Sequence, residues 1–198
     1  MFARDSTEIL ILPALTAMVL AILGFWVLST FFSLFTILLL GFFRDPKRKI
    51  GIGIVSGADG TVDYVKTRKN WTIISVFMNL NDVHVNRAPM EGKILSVKRR
   101  GGGSWPAFLK RSEKNSRASI VMETEIGIIR VVMISGVFAW RVCPYVQAGD
   151  KVRRGQRIGI IRFGSRLNVW LPSDKVNISV KEGMKVKAGK TNIAEVIP

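Results

Sequence analysis

From Ile9 to Phe43 the chain runs for 35 residues without a single charge, "ILILPALTAMVLAILGFWVLSTFFSLFTILLLGFF". A single straight helix of that length would extend about 52 Å at 1.5 Å per residue. The hydrocarbon core of a bilayer is only about 30 Å thick. The run therefore predicts two shorter helices with a break near residues 24–30, with one long tilted span as the alternative. A helical hairpin returns the chain to its starting side, and "RDPKRK" (44–49) follows at once, marking a cytoplasmic face. A secretory signal is a poor match, because the apolar run is too long, Asp5 and Glu8 interrupt the basic leader, and no small-residue cleavage site follows.

Charge divides along the same boundary. The chain carries +16 overall, and residues 1–43 contribute one arginine against two acids, so +17 falls on residues 44–198. A field of that sign attracts polyanions, either nucleic acid or an anionic lipid surface. The single cysteine, Cys143, excludes an internal disulfide and fits a reducing compartment. With one histidine besides, no metal site is expected. The organisation is thus a membrane-anchoring segment over 1–43 and a second domain over 44–198.

Beyond Pro46 the pattern changes to short runs rich in Val and Ile, punctuated by glycine, such as "GIGIVSGADGTVDYV", "WTIISVFMNL" and "ASIVMETEIGIIRVVMISG". These predict strands and a mainly β domain, a compact sandwich or barrel. Two segments echo one another: "AGDKVRRGQRIG" and "EGMKVKAGKTNIA" share Gly-x-x-Val-x-x-Gly, with Gly149, Val152 and Gly155 matched by Gly183, Val186 and Gly189. Each copy implies a tight turn, one inward apolar residue and a second turn needing positive φ. The pair resembles the barrel-sandwich fold of biotinyl and lipoyl carrier domains, whose modified lysine stands at an exposed hairpin tip. Here Gly164-Ser165 takes the tip position in "IIRFGSRLNVWLP". The lysine of "SDKV", Lys175, falls too late after Gly155 to be its equivalent.

Four segments, "FFRDPKRK" (42–49), "GADGTV" (57–62), "NDVHVNRAP" (81–89) and "RFGSRLNVWLP" (162–172), occur in an order that resembles the phosphatidylserine decarboxylases, in their short, membrane-anchored, pyruvoyl-dependent form. The resemblance implies that the Ser165 hydroxyl attacks the Gly164 carbonyl and that the chain cuts itself between them. A β chain of residues 1–164 and an α chain of residues 165–198 result, a heterodimer for which a higher oligomer stays open. The former Ser165 becomes a covalent pyruvoyl group, which forms a Schiff base with the substrate amine and accepts the electrons released as CO₂ departs. The same resemblance gives His84 as the base and Asp59 as its orienting partner, in a Ser-His-Asp arrangement known by role rather than order. Asn86 and Arg87 are implied as contacts for headgroup phosphate or carboxylate. Longer members carry a second histidine where this chain has Arg87, so His84 either serves both maturation and decarboxylation or shares them with another group.

The segment from Lys98 to Arg117 holds seven basic residues and one acid, with Trp105, Pro106 and Phe108 among them. Beside an apolar anchor, such a loop favours docking on anionic lipid over nucleic acid. The expected activity is conversion of phosphatidylserine to phosphatidylethanolamine and CO₂ at the cell membrane. An archaetidylserine-type ether lipid is the near alternative, since the headgroup is the same. A membrane-anchored barrel-sandwich adaptor without catalysis is the distant one, lacking the long heptad hairpin such adaptors use.

Overall fold

The computed structural model describes residues 2–3, 6–103, 115–136, 142–162 and 165–197. They divide into two compact units, Met1–Lys47 and Arg48–Pro198.

In the first unit the uncharged run, with Thr7 and Glu8 just ahead of it, forms helices α1 (Thr7–Ile22) and α2 (Trp26–Phe42), broken at Gly24, whose φ of 81° suits a residue without Cβ. The chain does return on itself. The Ala3 N–H donates to the Phe43 carbonyl at 2.8 Å, and the Ser29 hydroxyl of α2 donates to the Ala17 carbonyl of α1 at 2.8 Å. Much apolar surface remains uncovered, with Leu12 71% and Val27 84% exposed. At 16 and 17 residues the helices run about 24–26 Å. No helix among the described residues is long and apolar enough to cross a membrane.

The second unit is built of strands, as the Val- and Ile-rich runs require. In chain order they are β1 (Ile54–Val55), β2 (Gly60–Arg68), β3 (Trp71–Met78), β4 (Val85–Arg87), β5 (Gly92–Arg100), β6 (Arg117–Thr124) and β7 (Gly127–Ser135). There follow β8 (Val142–Pro144), β9 (Lys151–Val152), β10 (Arg157–Ile161), β11 (Ser165–Pro172), β12 (Val176–Ile178), β13 (Lys185–Val186) and β14 (Asn192–Val196). Eight of them make one sheet in the order β13-β2-β3-β11-β7-β6-β5-β9, and two three-stranded sheets, β1-β14-β12 and β4-β10-β8, complete the unit. Alternation along β11 turns Leu167, Val169 and Leu171, all fully buried, to one side. Their cross-strand partners Val76 and Ile74 on β3, with Met133 and Val131 on β7, join the same core.

The glycine echo has a structural counterpart. Gly149, Gly155, Gly183 and Gly189 all have positive φ, and Val152 and Val186 are each 3% exposed. The two copies supply β9 and β13, the opposite edges of the large sheet. Their hydrogen bonds repeat as well: Gly149 N–H donates to Ile94 O where Gly183 N–H donates to Val62 O, each at 2.8 Å.

One expectation is corrected. Residues 160–172 do not form a hairpin, and Ser165 does not stand at an exposed tip. β10 pairs with β4 and β8, whereas β11 pairs with β3 and β7, so the two strands belong to different sheets. Ser165 is fully buried as the first residue of its strand. Gly164, along with Trp105, Pro106 and Phe108 of the basic loop, lies outside the described residues.

Candidate active site

Ser165 opens the central strand of the large sheet, in register with Met78 on β3 and Ser135 on β7. Directly opposed residues in an antiparallel sheet share a face, so Met78, Ser165 and Ser135 form one inward row, each fully buried. The Ser165 hydroxyl lies 3.7 Å from the Met78 sulfur. The Asn86 amide approaches the same sulfur at 3.6 Å. Met78 therefore links the β11 serine to the "DVHVNRAP" segment.

That segment is tied down by its backbone. β4 pairs with β10, and the Ile161 N–H donates to the His84 carbonyl at 3.3 Å, four residues before Ser165. Arg87 N–H donates to Gly57 O at 2.8 Å, which fastens β4 to the "GADG" loop. Main-chain bonds thus fasten the histidine motif to the "GADG" loop and to the end of β10, just ahead of the serine motif.

His84 is fully buried, and its Nδ1 lies 2.9 Å from the Asp82 carbonyl oxygen. A carbonyl only accepts, so Nδ1 carries the proton and donates; Nε2 is then the basic nitrogen of the neutral ring. The orienting acceptor at Nδ1 is a backbone carbonyl rather than the Asp59 carboxylate.

Asp59 is held elsewhere. Arg48 grips both of its oxygens, Nη2 meeting Oδ2 at 2.7 Å, and the Ala188 N–H donates to Oδ1 at 2.8 Å. Both side chains of this pair are about nine-tenths buried, at 9% and 10% exposure. Arg48 also donates to the Ala188 carbonyl at 2.8 Å, so one guanidinium joins the "RDPKRK" segment, the "ADG" loop and the turn after β13. Gly60 is obligatory beside it: φ is 143°, and a Cβ there would lie 2.0 Å from the Phe77 carbonyl oxygen.

Asn86 and Arg87 point apart, as neighbours on a strand do. Asn86 faces the Met78–Ser165 row, while Arg87 donates from Nη1 to the Gly155 carbonyl at 3.0 Å. Two buried polar atoms near the serine have no hydrogen-bond partner among the described residues, Asn86 Oδ1 and Ser135 Oγ. A cavity of about 500 Å³ is lined by Thr61, Asn79, Leu80, Asn81, Asp82 and Lys185 among others. Its walls include the residues next in chain to Met78 and to the Asp59–Gly60 turn, and Asp82, the residue that orients His84.

Sequence reasoning did not single out Arg48, Met78, Asp82 or Ser135. Arg48 belongs to "RDPKRK", which in the sequence reads only as a basic flank. Met78 and Ser135 sit at the ends of apolar runs and reach the site through register alone.

Residues 35–194 match the family model described as phosphatidylserine decarboxylase. A "putative archaetidylserine decarboxylase proenzyme" of Archaeoglobus fulgidus is 45% identical over 164 residues, 83% of this chain and 81% of the relative. One of the same description from Methanosarcina mazei is 45% identical over 81% of this chain and 76% of its own length. A "phosphatidylserine decarboxylase proenzyme" of Streptomyces avermitilis is 46% identical over 157 residues, 78% of this chain and 73% of the relative. The match spans the arginine–aspartate pair, the histidine segment and the buried serine alike, and on it the chain belongs to the phosphatidylserine decarboxylase family.

Proposed function

We propose that this protein decarboxylates a serine-headed phospholipid, turning phosphatidylserine into phosphatidylethanolamine and CO₂ after cutting itself before Ser165. The observation that carries this reading is the placement of Ser165, fully buried at the start of the central strand between Met78 and Ser135. A surface turn serine would have no such enclosure.

In maturation the Ser165 hydroxyl adds to the Gly164 carbonyl, and the Gly164–Ser165 amide becomes an ester. Elimination releases the Gly164 carboxylate and leaves residue 165 as a dehydroalanine, and water hydrolyses its imine tautomer to the ketone with loss of ammonia. Ser165 is a weak nucleophile and needs a base. Nε2 of His84, basic because Nδ1 is committed to Asp82, takes that role. Asp59, clamped by Arg48 and Ala188, fixes the loop that borders β4.

The pyruvoyl group derived from Ser165 supplies an electron-accepting carbonyl that no ordinary side chain offers. The surroundings suit it. Its carbon atoms are those of Ser165, and the Ser135 hydroxyl and the Asn86 Nδ2 amide, both buried beside it, can donate to its oxygens. His84 holds the proton that replaces CO₂ on the product. Lys185 in the neighbouring cavity offers a cation to the headgroup phosphate, and the Asn79, Asn81 and Thr61 side chains offer polar contacts.

The apolar helices α1 and α2 bring the protein to the bilayer surface, and the +17 charge of residues 44–198 draws it to the anionic, cytoplasmic leaflet. The barrel-sandwich likeness of the carrier domains is supported by the doubled Gly-x-x-Val-x-x-Gly edge strands. Archaetidylserine is the second substrate reading. It is favoured by relatives of that description at the same level of identity.

Intact mass analysis tests the core of the proposal. The purified protein should give two chains, the smaller carrying a ketone in place of the Ser165 amine. Ser165→Ala and His84→Ala should each stay whole and release no CO₂. An uncut parent protein that still decarboxylates phosphatidylserine would overturn it, and ester- and ether-linked substrates assayed side by side would assign the lipid tail.

A further inference from the structure

The six central strands of the large sheet, β2, β3, β11, β7, β6 and β5, carry nine basic residues and two acids. With Leu167, Val169 and Leu171 turned to the core, alternation puts Arg166, Asn168 and Trp170 on the outer face. Cross-strand register adds Tyr64, Lys66 and Arg68 from β2 and Arg130 from β7. Lys98 and Arg100 of β5 join the same face across β6. Cations and rings interleave there. Lys66 Nζ stands 4.7 Å from the centre of the Tyr64 ring, and the Arg166 guanidinium lies 5.7 Å from it. The Arg130 guanidinium lies 5.7 Å from the Trp170 ring, whose edge-to-face partner at 6.3 Å is Trp71. The three rings are half-buried, while Lys66, Arg68, Lys98, Arg100 and Arg130 are exposed. The acids do not offset those five: Asp63 is bound by Arg166 at 2.9 Å, and Glu123 stands opposite Lys93.

Like charges spread over one face repel one another, and an extended anionic surface turns that repulsion into attraction. We propose that the outer face of the large sheet docks on an anionic lipid bilayer. The exposed cations meet lipid phosphates, and the tyrosine and tryptophan rings rest at headgroup level. Single-stranded nucleic acid, the other extended polyanion, binds by stacking its bases on free rings. Here Lys66 and Arg166 engage the Tyr64 ring, and Arg130 and Trp71 engage Trp170. The cavity beside the serine borders the same strands, since Thr61 of β2 and Asn79 and Leu80 just after β3 line it. Docking by this face therefore brings a wall of that cavity to the lipid. It rests on the proposed work at an anionic leaflet and specifies the surface that meets it.

The test co-sediments the full-length protein with phosphatidylcholine vesicles, with and without phosphatidylglycerol. Neutral vesicles read the apolar helices, and the gain in affinity on adding phosphatidylglycerol reads charge. The variant K66Q/R130Q removes two exposed cations from the face, and K181Q/K190Q removes two exposed lysines outside the large sheet. K66Q/R130Q should cut that gain about tenfold, and K181Q/K190Q by less than about twofold. Equal losses in the two variants, or no loss in either, would mean attraction by the diffuse positive field and would overturn the docking face. A parent protein that gains nothing from phosphatidylglycerol overturns the anionic-leaflet reading and the face with it. If K66Q/R130Q instead loses binding to a single-stranded oligonucleotide while its vesicle binding is unchanged, the face belongs to nucleic acid and the proposal fails. Chain cutting, followed in the same samples, reads the decarboxylase proposal, whose failure leaves the sedimentation outcomes as they stand.

Discussion

Arg48 and Asp59 place opposite charges side by side with about nine-tenths of each side chain out of water. Such a pair is weak evidence of net stabilisation, yet removing one member strands the other charge in a poor solvent. Arg48→Met should therefore lower stability by about 3–5 kcal/mol. Urea unfolding of the variant against the parent measures this, and a loss under about 1 kcal/mol, the worth of an exposed pair, would show that water screens the site. The aspartate was legible in the sequence through the "ADG" motif, and the histidine through "DVHVNRAP". Their actual partners were not. Arg48 stands 11 residues before Asp59 in a stretch that reads as a basic flank, and the acceptor for His84 Nδ1 is a main-chain carbonyl, which no side-chain motif encodes.

At the scale of elements, local pattern carries far. The uncharged run became two helices broken at its central glycine, and the Val- and Ile-rich runs became strands. Pattern stops short of partner choice. β10 and β11 are close in sequence and look like a hairpin, but β10 pairs with Val85–Arg87 and β11 with strands ending at Met78 and Ser135. Register of that kind is set by the whole core and leaves no local trace. The turn into β2 shows how tightly such register is enforced, since Gly60 lies against the Phe77 carbonyl of the next strand. Gly60→Ala should cost more than about 1 kcal/mol, because both φ and space forbid the methyl group. Gly101→Ala, where a Cβ meets nothing within 4 Å, is the control. Equal urea midpoints for the two variants would contradict the packing described.

For the second unit as a whole, the proposed cut falls at the start of a strand that stays fully paired. β11 keeps eight residue pairs to β3 and six to β7, and Arg166 meets Asp63 at 2.9 Å. β12, β13 and β14 also follow Ser165, so the 34-residue product threads two of the three sheets. The α chain should co-elute with the β chain on gel filtration in native buffer and separate only in denaturant; free α chain under native conditions would contradict its place in the sheet. Maturation on this plan alters chemistry and leaves architecture untouched. The two-residue strands β9 and β13 carry a further meaning. Long bare sheet margins recruit strands from other molecules. Here each margin offers only two residues between left-handed glycines, too little to template a neighbour, so any self-association must be written in side chains rather than in shared backbone ladders.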